Sequence, residues 1–557
     1  MNHLLRGLAA NENLPPALVD RLIAVADEET ADRLAVRSDL SHHQAVALAG
    51  RVEESAVRLA YEGRLTAADI DPRARPDVAL ALLDTGAGPA AWARRLAADP
   101  VVEHREKLAA CPDLPPDVLD TLLTDPETRV VAEAALRAPA HVAARLAAHP
   151  RTEVRRAVAA NDATPPSALA SLLNGDGPPA PHHCPAREGE SPSRDHGLTP
   201  GHDPAPDHCP AREGESPSRD HGLTPGHDPA PDHVSAPHHC PAREGEPPSS
   251  DHGPAPEPFW DGLHTCAAHE LIRAALHNPA TPAEAVTRFA DHPSRLLRWP
   301  LAARRDLTPE AYETLARDPV PGIRAELAEN PAIGDDVMRA LADDACHDVR
   351  RALAGNPRVP FDVLTRLAGG TRTGTAPLPR IASASPAEIA ALAASADPAV
   401  RMLAARRRDL PAGLLDALAA DPDAKVAGAV ASHPGLAEPR LRDLTRRHGV
   451  QVIAGIAANP DATPALLAEL VRRRPPARKA LRAIAGHANA TVPALLACLD
   501  DPEARVVAAG HPALPTQVIT ALVEGADHRS AEAAAANPSL PRAVMTELLP
   551  PAPAPAV

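Results

Sequence analysis

The chain has 557 residues, with 73 acidic against 57 basic side chains and a formal net charge of −16. It is 44% hydrophobic but only 1% aromatic. This composition excludes a chain that is basic all over and leaves little with which to wall a large ligand pocket. No stretch approaches the roughly 18 apolar residues of a membrane helix. The opening MNHLLRGLAANENLPP lacks the apolar run of a secretion signal, so a cytoplasmic protein with no membrane contact is expected. The seven cysteines are odd in number, widely scattered and form no C-x-x-C pair, which fits a reduced compartment.

In chain order, the first block runs over 1–173 and carries first helices such as Pro15–Ala26 and Pro115–Leu123. Its organisation is clearest in a later unit, Asn330 to Arg358, which opens and closes on Asn-Pro. Ile333, Val337, Met338 and Leu341 follow at helical spacing, Asp343-Asp344 marks a break, and Val349 and Leu353 belong to a second short helix. Asn356-Pro357 ends the unit, because a residue before proline is pushed out of the helical region. The closing residue recurs as Asn11, Arg37, Glu62, Cys111, Asn161, Asn278, Arg304, Asn330, Asn356, Arg407, His433, Asn459, His487, His511 and Asn537, with weaker copies near Thr85, Arg137 and Ala382. A fixed period of this size, 24–26 residues repeated about 18 times in this chain, predicts an all-α solenoid in one continuous core. Asp-Pro pairs at Asp99, Asp125, Asp318, Asp397, Asp421 and Asp501 fit the turn between the two helices, Asp capping the second and Pro opening it.

The pattern stops over 174–258. This segment holds 20 prolines, 11 of the 27 histidines and a near-perfect tandem copy, Pro179–Asp203 and Pro204–Asp228. It has almost no aliphatic side chains and is expected to be a disordered, low-complexity insert within the turn of one repeat. Its charge is −10, so the whole-chain −16 leaves −6 for the helical part. Helical repeats resume over 259–549, with Phe259-Trp260 at the restart and a weak stretch at Gly369–Arg380, and 550–557 is a disordered tail.

The period, the N-P-x-L-P opening and the D-P-x-x-V-R second segment resemble the bacterial leucine-rich repeat variant family, with HEAT repeats the nearer relative if the second segment is fully α-helical. The resemblance implies a right-handed superhelical solenoid of alternating α- and 3₁₀-helices. Some members of that family hold an N-terminal iron–sulfur cluster on grouped cysteines. The first cysteine here is Cys111, so no cofactor is implied.

Four features bear on function. The Asn, Arg or His at each unit's end is expected to satisfy helix-end carbonyls rather than to form a ligand ladder. The second-helix arginines Arg155, Arg324, Arg350 and Arg401 are expected to pair with turn aspartates, as Asp318 with Arg324 and Asp344 with Arg350. The His-Cys runs at His182-His183-Cys184, His208-Cys209 and His238-His239-Cys240 offer too few fixed ligands at once for a structural zinc site, so no metal is assigned. Between residues 440 and 482 stand Arg440, Arg442, Arg446, Arg447, Arg472, Arg473, Arg474, Arg478, Lys479 and Arg482 against three acidic residues, a net charge of +7. Arg446 and Arg472 each lie 13 residues after a closing position, at the end of a first helix in adjacent layers. No nucleotide, zinc-protease or hydrolase motif is present. The sequence therefore reads as a non-catalytic protein–protein interaction scaffold, about 150 Å long if layers stack at roughly 8–10 Å. The competing reading is a nucleic-acid-binding HEAT-like solenoid, conceivably a base-repair enzyme, using the basic cluster at 440–482 on phosphates.

Overall fold

The computed structural model describes residues 2–175, 267–371, 377–473 and 477–550. The expectations for the Pro/His-rich segment from 176 onward, for Phe259-Trp260 and for the tail beyond 550 therefore lie outside the described residues. The described residues form 35 α-helices, numbered α1 to α35 in chain order, and one 3₁₀ turn at Ala67–Asp69. They alternate as eighteen first and eighteen second segments, the all-α repeat solenoid expected. No helix among them is long and apolar enough to cross a membrane.

One unit shows why the chain folds this way. Helix α19 (Asp335–Ala342) buries Val337, Met338, Leu341 and Ala342, and α20 (His347–Gly355) buries Val349, Leu353 and Ala354. Each is shorter than the roughly 12–15 residues at which an isolated helix becomes marginally stable, so its shape depends on its neighbours. The turn between them is held by Asp344, whose carboxylate accepts from the Cys346 N–H at 2.8 Å. At Asp397 and Asp501 the aspartate itself caps the second helix and the following proline occupies its first turn. The buried core is built mainly from leucine, alanine and valine side chains. Second helices of consecutive layers pack on one another more closely than first helices do, which places them on the inside of the curve.

Two expectations are corrected. The second segments are α-helical throughout, and the single 3₁₀ turn among the described residues stands in a first-helix position, so the α/3₁₀ alternation implied by the family resemblance is absent. Ala-rich segments of eight or nine residues complete i→i−4 hydrogen bonds readily. The second correction concerns length. The array does not run out as an open surface of about 150 Å; it closes.

The chain begins with a second helix, α1 (Asn2–Ala10), and ends with a first helix, α35 (Arg542–Glu547). Helix α1 packs on α34 (His528–Ala535) as one second helix packs on the next. Asn11 Nδ2 donates to the carbonyls of Ala535 at 3.0 Å and Asn537 at 2.7 Å. On the first-helix side, Arg21 of α2 (Pro16–Val25) donates to the carbonyls of Thr546 at 3.1 Å and Leu549 at 2.8 Å. Helix α35 thus precedes α2 and α1 follows α34, so the two chain ends supply the two halves of a single layer.

The stack is also continuous across the long insert. Helix α12 (Thr152–Ala160) packs on α14 (Ala267–His277). Asn278 Nδ2 donates to the carbonyls of Ala159 and Asn161, both at 2.9 Å. The least regular layer follows α21 (Phe361–Gly370), where the second helix α22 (Pro379–Ala382) has four residues. There α24 (Pro398–Ala405) packs on α21 instead of on a full second helix.

Candidate functional site

The closing residues form a buried polar ladder. In the asparagine rungs the side chain reaches back one layer and takes up carbonyls that the previous second helix leaves without partners. Asn330 donates to Ala302 and Arg304 at 2.8 and 2.5 Å, and Asn356 to Ala328 and Asn330 at 2.8 and 2.9 Å. Its Oδ1 accepts the Arg358 N–H at 2.9 Å, so one buried amide ties two turns together. Where the rung is Arg304, the guanidinium bonds the Leu276, Asn278 and Thr281 carbonyls and salt-bridges Asp306 at 2.6 Å. Where it is histidine, Nε2 faces the carbonyl, as His487 to Asn459 at 2.8 Å and His511 to His487 at 3.1 Å. Burial pushes the His433 imidazole down to about 4, and its Nδ1 has no hydrogen-bond partner. The rungs hold layers together, as expected from helix capping.

The second-helix arginines form a parallel ladder in a different register from the one expected. Arg324 does not pair with the carboxylate of its own turn, Asp318. Its guanidinium forks onto Asp344 of the next layer at 2.6 and 2.9 Å and gives its remaining N–H to the Asp318 carbonyl oxygen at 2.6 Å. Arg105–Asp125, Arg298–Asp318 and Arg401–Asp421 repeat the fork, each 20 residues apart, while Arg350 bonds the backbone oxygen of Asp344. A 2.6 Å contact is inter-layer because the side chain leans toward the helix N-terminus and reaches the turn beside it. The Arg105 fork holds the Asp125 carboxyl below the usual range, against the opposing effect of burial. Burial works against ionising Asp344 as well, yet the Arg324 fork and the Cys346 N–H leave it below the usual range.

The basic residues of 440–482 are not brought together on one surface. Arg440, Arg442, Arg446 and Arg447 stand on α27 (Glu438–His448), a first helix. Arg472 and Arg473 follow α29 (Pro464–Val471), also a first helix, and Arg474 lies outside the described residues. Arg478, Lys479 and Arg482 stand on α30 (Arg478–Ala485), a second helix, and so on the opposite side of the layer. Most of the α27 cations are engaged. Arg442 pairs with Glu438 and with Glu469 of the next first helix, and Arg446 and Arg447 share Asp443 at 2.8 Å. Arg447 also reaches the Ala419 carbonyl at 2.5 Å, capping the first helix of the previous layer. Arg440 meets Asp416 at 3.5 Å. On α30, Arg478 and Arg482 have side chains 86% and 66% exposed and meet carboxylates only at 3.8 and 4.0 Å.

The inner face carries its own cross-layer ion pairs, which the spacing of charges did not reveal. Arg129 pairs with Glu103 at 2.6 Å and Glu106 at 3.1 Å, Lys107 with Asp77 at 2.7 Å, and Arg6 with Glu29 and, at 3.2 Å, Glu532. The cysteines among the described residues, Cys111, Cys346 and Cys498, are free, and burial pushes the Cys111 thiol up to about 12 and Cys498 to about 11. Among the described residues no group of three or more His, Cys, Asp or Glu side chains is placed to hold a metal ion. The His-Cys runs of the insert lie outside them.

No protein-family model and no curated protein matches the chain. Among solved structures it is similar to a leucine-rich repeat variant with a novel repetitive structural motif, at 23% identity over 45% of this chain and 87% of that one, with a TM-score of 0.26. An engineered protein is similar at 16% identity, covering 86% of this chain and 98% of that one, with a TM-score of 0.16. Kap95p, from a structure of its complex with RanGDP, is similar at 11% identity over 93% of this chain and 65% of that one, with a TM-score of 0.21.

Proposed function

We propose that this chain is a non-catalytic interaction scaffold that binds a protein partner, in a cytoplasmic setting. One observation carries the reading. The recurring asparagines at unit ends and the four Arg–Asp forks are engaged in holding layers together, as in Asn356 and Arg324. The exposed second-helix positions, by contrast, differ from layer to layer, as Glu103, Asp348 and Lys479 do. A regular frame presenting a non-repeating surface is what stacked repeats use to recognise one partner. The repeat pattern itself supports a place near the leucine-rich repeat variants, and the α-helical second segments draw it toward HEAT repeats.

Within that surface, Arg478, Lys479 and Arg482 are the portion of the basic cluster best suited to an acidic partner, since the α27 arginines already have carboxylates at hydrogen-bond distance. Arginine grips a carboxylate through a planar fork, and exposed forks without close partners remain available. A nucleic-acid role ranks second: the split cluster, three tryptophans and a helical part at −6 supply neither a basic face nor stacking platforms. A pull-down with the full chain, with and without nuclease, tests the choice. Recovery of a protein that survives nuclease and is weakened by joint Arg478→Ala, Lys479→Ala and Arg482→Ala substitution is expected. Recovery lost on nuclease treatment would favour the second reading.

A further inference from the structure

We infer that the layer divided between the two chain ends is a clasp: a joint that opens and recloses while the remaining layers stay folded. Three sets of contacts define it, and each copies one found between consecutive layers. Asn11 bonds Ala535 and Asn537 across 524 and 526 residues, as Asn537 bonds Ala509 and His511 across 28 and 26. Arg21 bonds Leu549 and Thr546 on the first-helix side, as Arg288 bonds Leu173 and Arg366 bonds Arg339. Arg6 pairs with Glu532 of the layer behind, as Arg129 pairs with Glu103 and Glu106 of the layer behind it, and also with Glu29 of the layer ahead.

Gly7 is the residue that closure explains. Glycine inside a nine-residue helix weakens it, and α1 on an open end would have no use for one. In the structure a Cβ at Gly7 would stand 2.7 Å from the Ala535 Cβ and closer still to the Glu532 carbonyl oxygen. Gly455 has the same place in an interior layer, where a Cβ would meet the Gly428 carbonyl oxygen at 2.9 Å. Solenoids with free ends cover them with polar capping repeats. Here the end helices instead bury Leu5, Leu8 and Ala9 of α1 and Met545 of α35.

This joint differs from all others in that no peptide crosses it. At every other described interface except the one where residues 176–266 intervene between α13 and α14, a short turn holds the two layers side by side after their contacts break, so little freedom is gained by opening. At the clasp no such turn keeps the two sides together once their contacts break. Helix α35, with six residues, also has no stability of its own once parted from α2. Both arguments make the clasp the low-energy opening of the closed array, as subglobal openings are drawn from the least constrained elements.

Native-state hydrogen exchange on the full chain tests this. The amides of α1 and α35 should exchange together, at least tenfold faster than those of α18 (Pro321–Glu329) and α20, and with a weaker dependence on denaturant. Gly7→Val should raise α1 and α35 exchange to that of frayed termini and leave helical circular dichroism and α20 protection unchanged. Gly455→Val, the interior control, should lower protection across several layers. Exchange of α1 and α35 only through global unfolding, or loss of helical signal in Gly7→Val, would overturn the clasp.

Discussion

The interface between α1 and α34 and the one between α18 and α20 are made from the same parts. Each has an asparagine donating to two carbonyls of the layer behind, 3.0 and 2.7 Å from Asn11 and 2.8 and 2.9 Å from Asn356. Each buries a leucine fully, Leu8 in one and Leu353 in the other. Their difference is connectivity alone: α18 and α20 belong to successive repeats of one continuous stretch, and α1 and α34 to opposite ends of the chain. Contacts of equal quality therefore do different work. Between α18 and α20 they hold a layer that the chain already keeps in place, and between α1 and α34 they decide whether the array has ends.

The largest effect expected from breaking this comparison is in the core. Leu353→Ala and Leu8→Ala should each cost about 2–5 kcal/mol through lost burial and the cavity left behind. Chemical denaturation of the full chain should show the Leu353 loss as a shifted main transition. The Leu8 loss should emerge first as a separate early opening of the chain ends. Equal shifts of a single transition in both variants would erase the distinction between the two interfaces.

Acid should act on the interior next. His433 is buried and neutral, with its native value near 4 against an ordinary 6.5, so the unfolded chain binds the proton first. Its share of stability is complete above about pH 6.5 and is lost as pH falls toward 4, by about 3 kcal/mol in all. His433→Asn should flatten that part of the stability–pH curve. A curve of unchanged slope between pH 6.5 and 4 would remove His433 as the cause.

How much of this was legible beforehand varies by feature. Periodicity revealed the two-helix layer because Val349 and Leu353 must face the core, and it placed the closing Asn356 in a capping role. The register of the Arg–Asp ladder was missed because residues 318 and 324 are near in sequence while Asp344 is near only once layers stack. The basic cluster was read as one patch because it is contiguous in sequence, yet α27 and α30 belong to opposite sides of a layer. Closure left one sign that went unread: Gly7 occupies a position where a neighbour's backbone stands in the way of a side chain.

Polar substitutions sharpen the comparison further. Removing the rung by Asn356→Ala leaves two buried carbonyls without donors and should cost roughly 1–3 kcal/mol of global stability. Asn11→Ala should cost a similar amount but register as faster exchange in α1 and α35. Hydrogen exchange mass spectrometry of the two variants distinguishes these outcomes, and loss of protection at the same sites in both would count against them.

The smallest effect belongs to the exposed ion pairs. Arg6→Ala removes contacts to Glu29 and Glu532, whose side chains are 66% and 31% exposed. Arg129→Ala removes interior contacts to Glu103 and Glu106 of one neighbouring helix. Each should change stability only slightly, and by less at high salt. Thermal melts at two ionic strengths check this, and a salt-independent loss of several degrees would show that packing rather than charge was removed.

Closure itself is tested most directly by a distance between the chain ends. Asn13 Nδ2 lies 2.8 Å from the Pro538 carbonyl oxygen, so spin labels at Asn13 and Ser539 should be close neighbours in solution. Pulsed electron resonance on the full chain should give one short, narrow distance that broadens and lengthens in Gly7→Val. A long, broad distribution in the unmodified sequence would mean that the array has free ends, and the split layer would not join them.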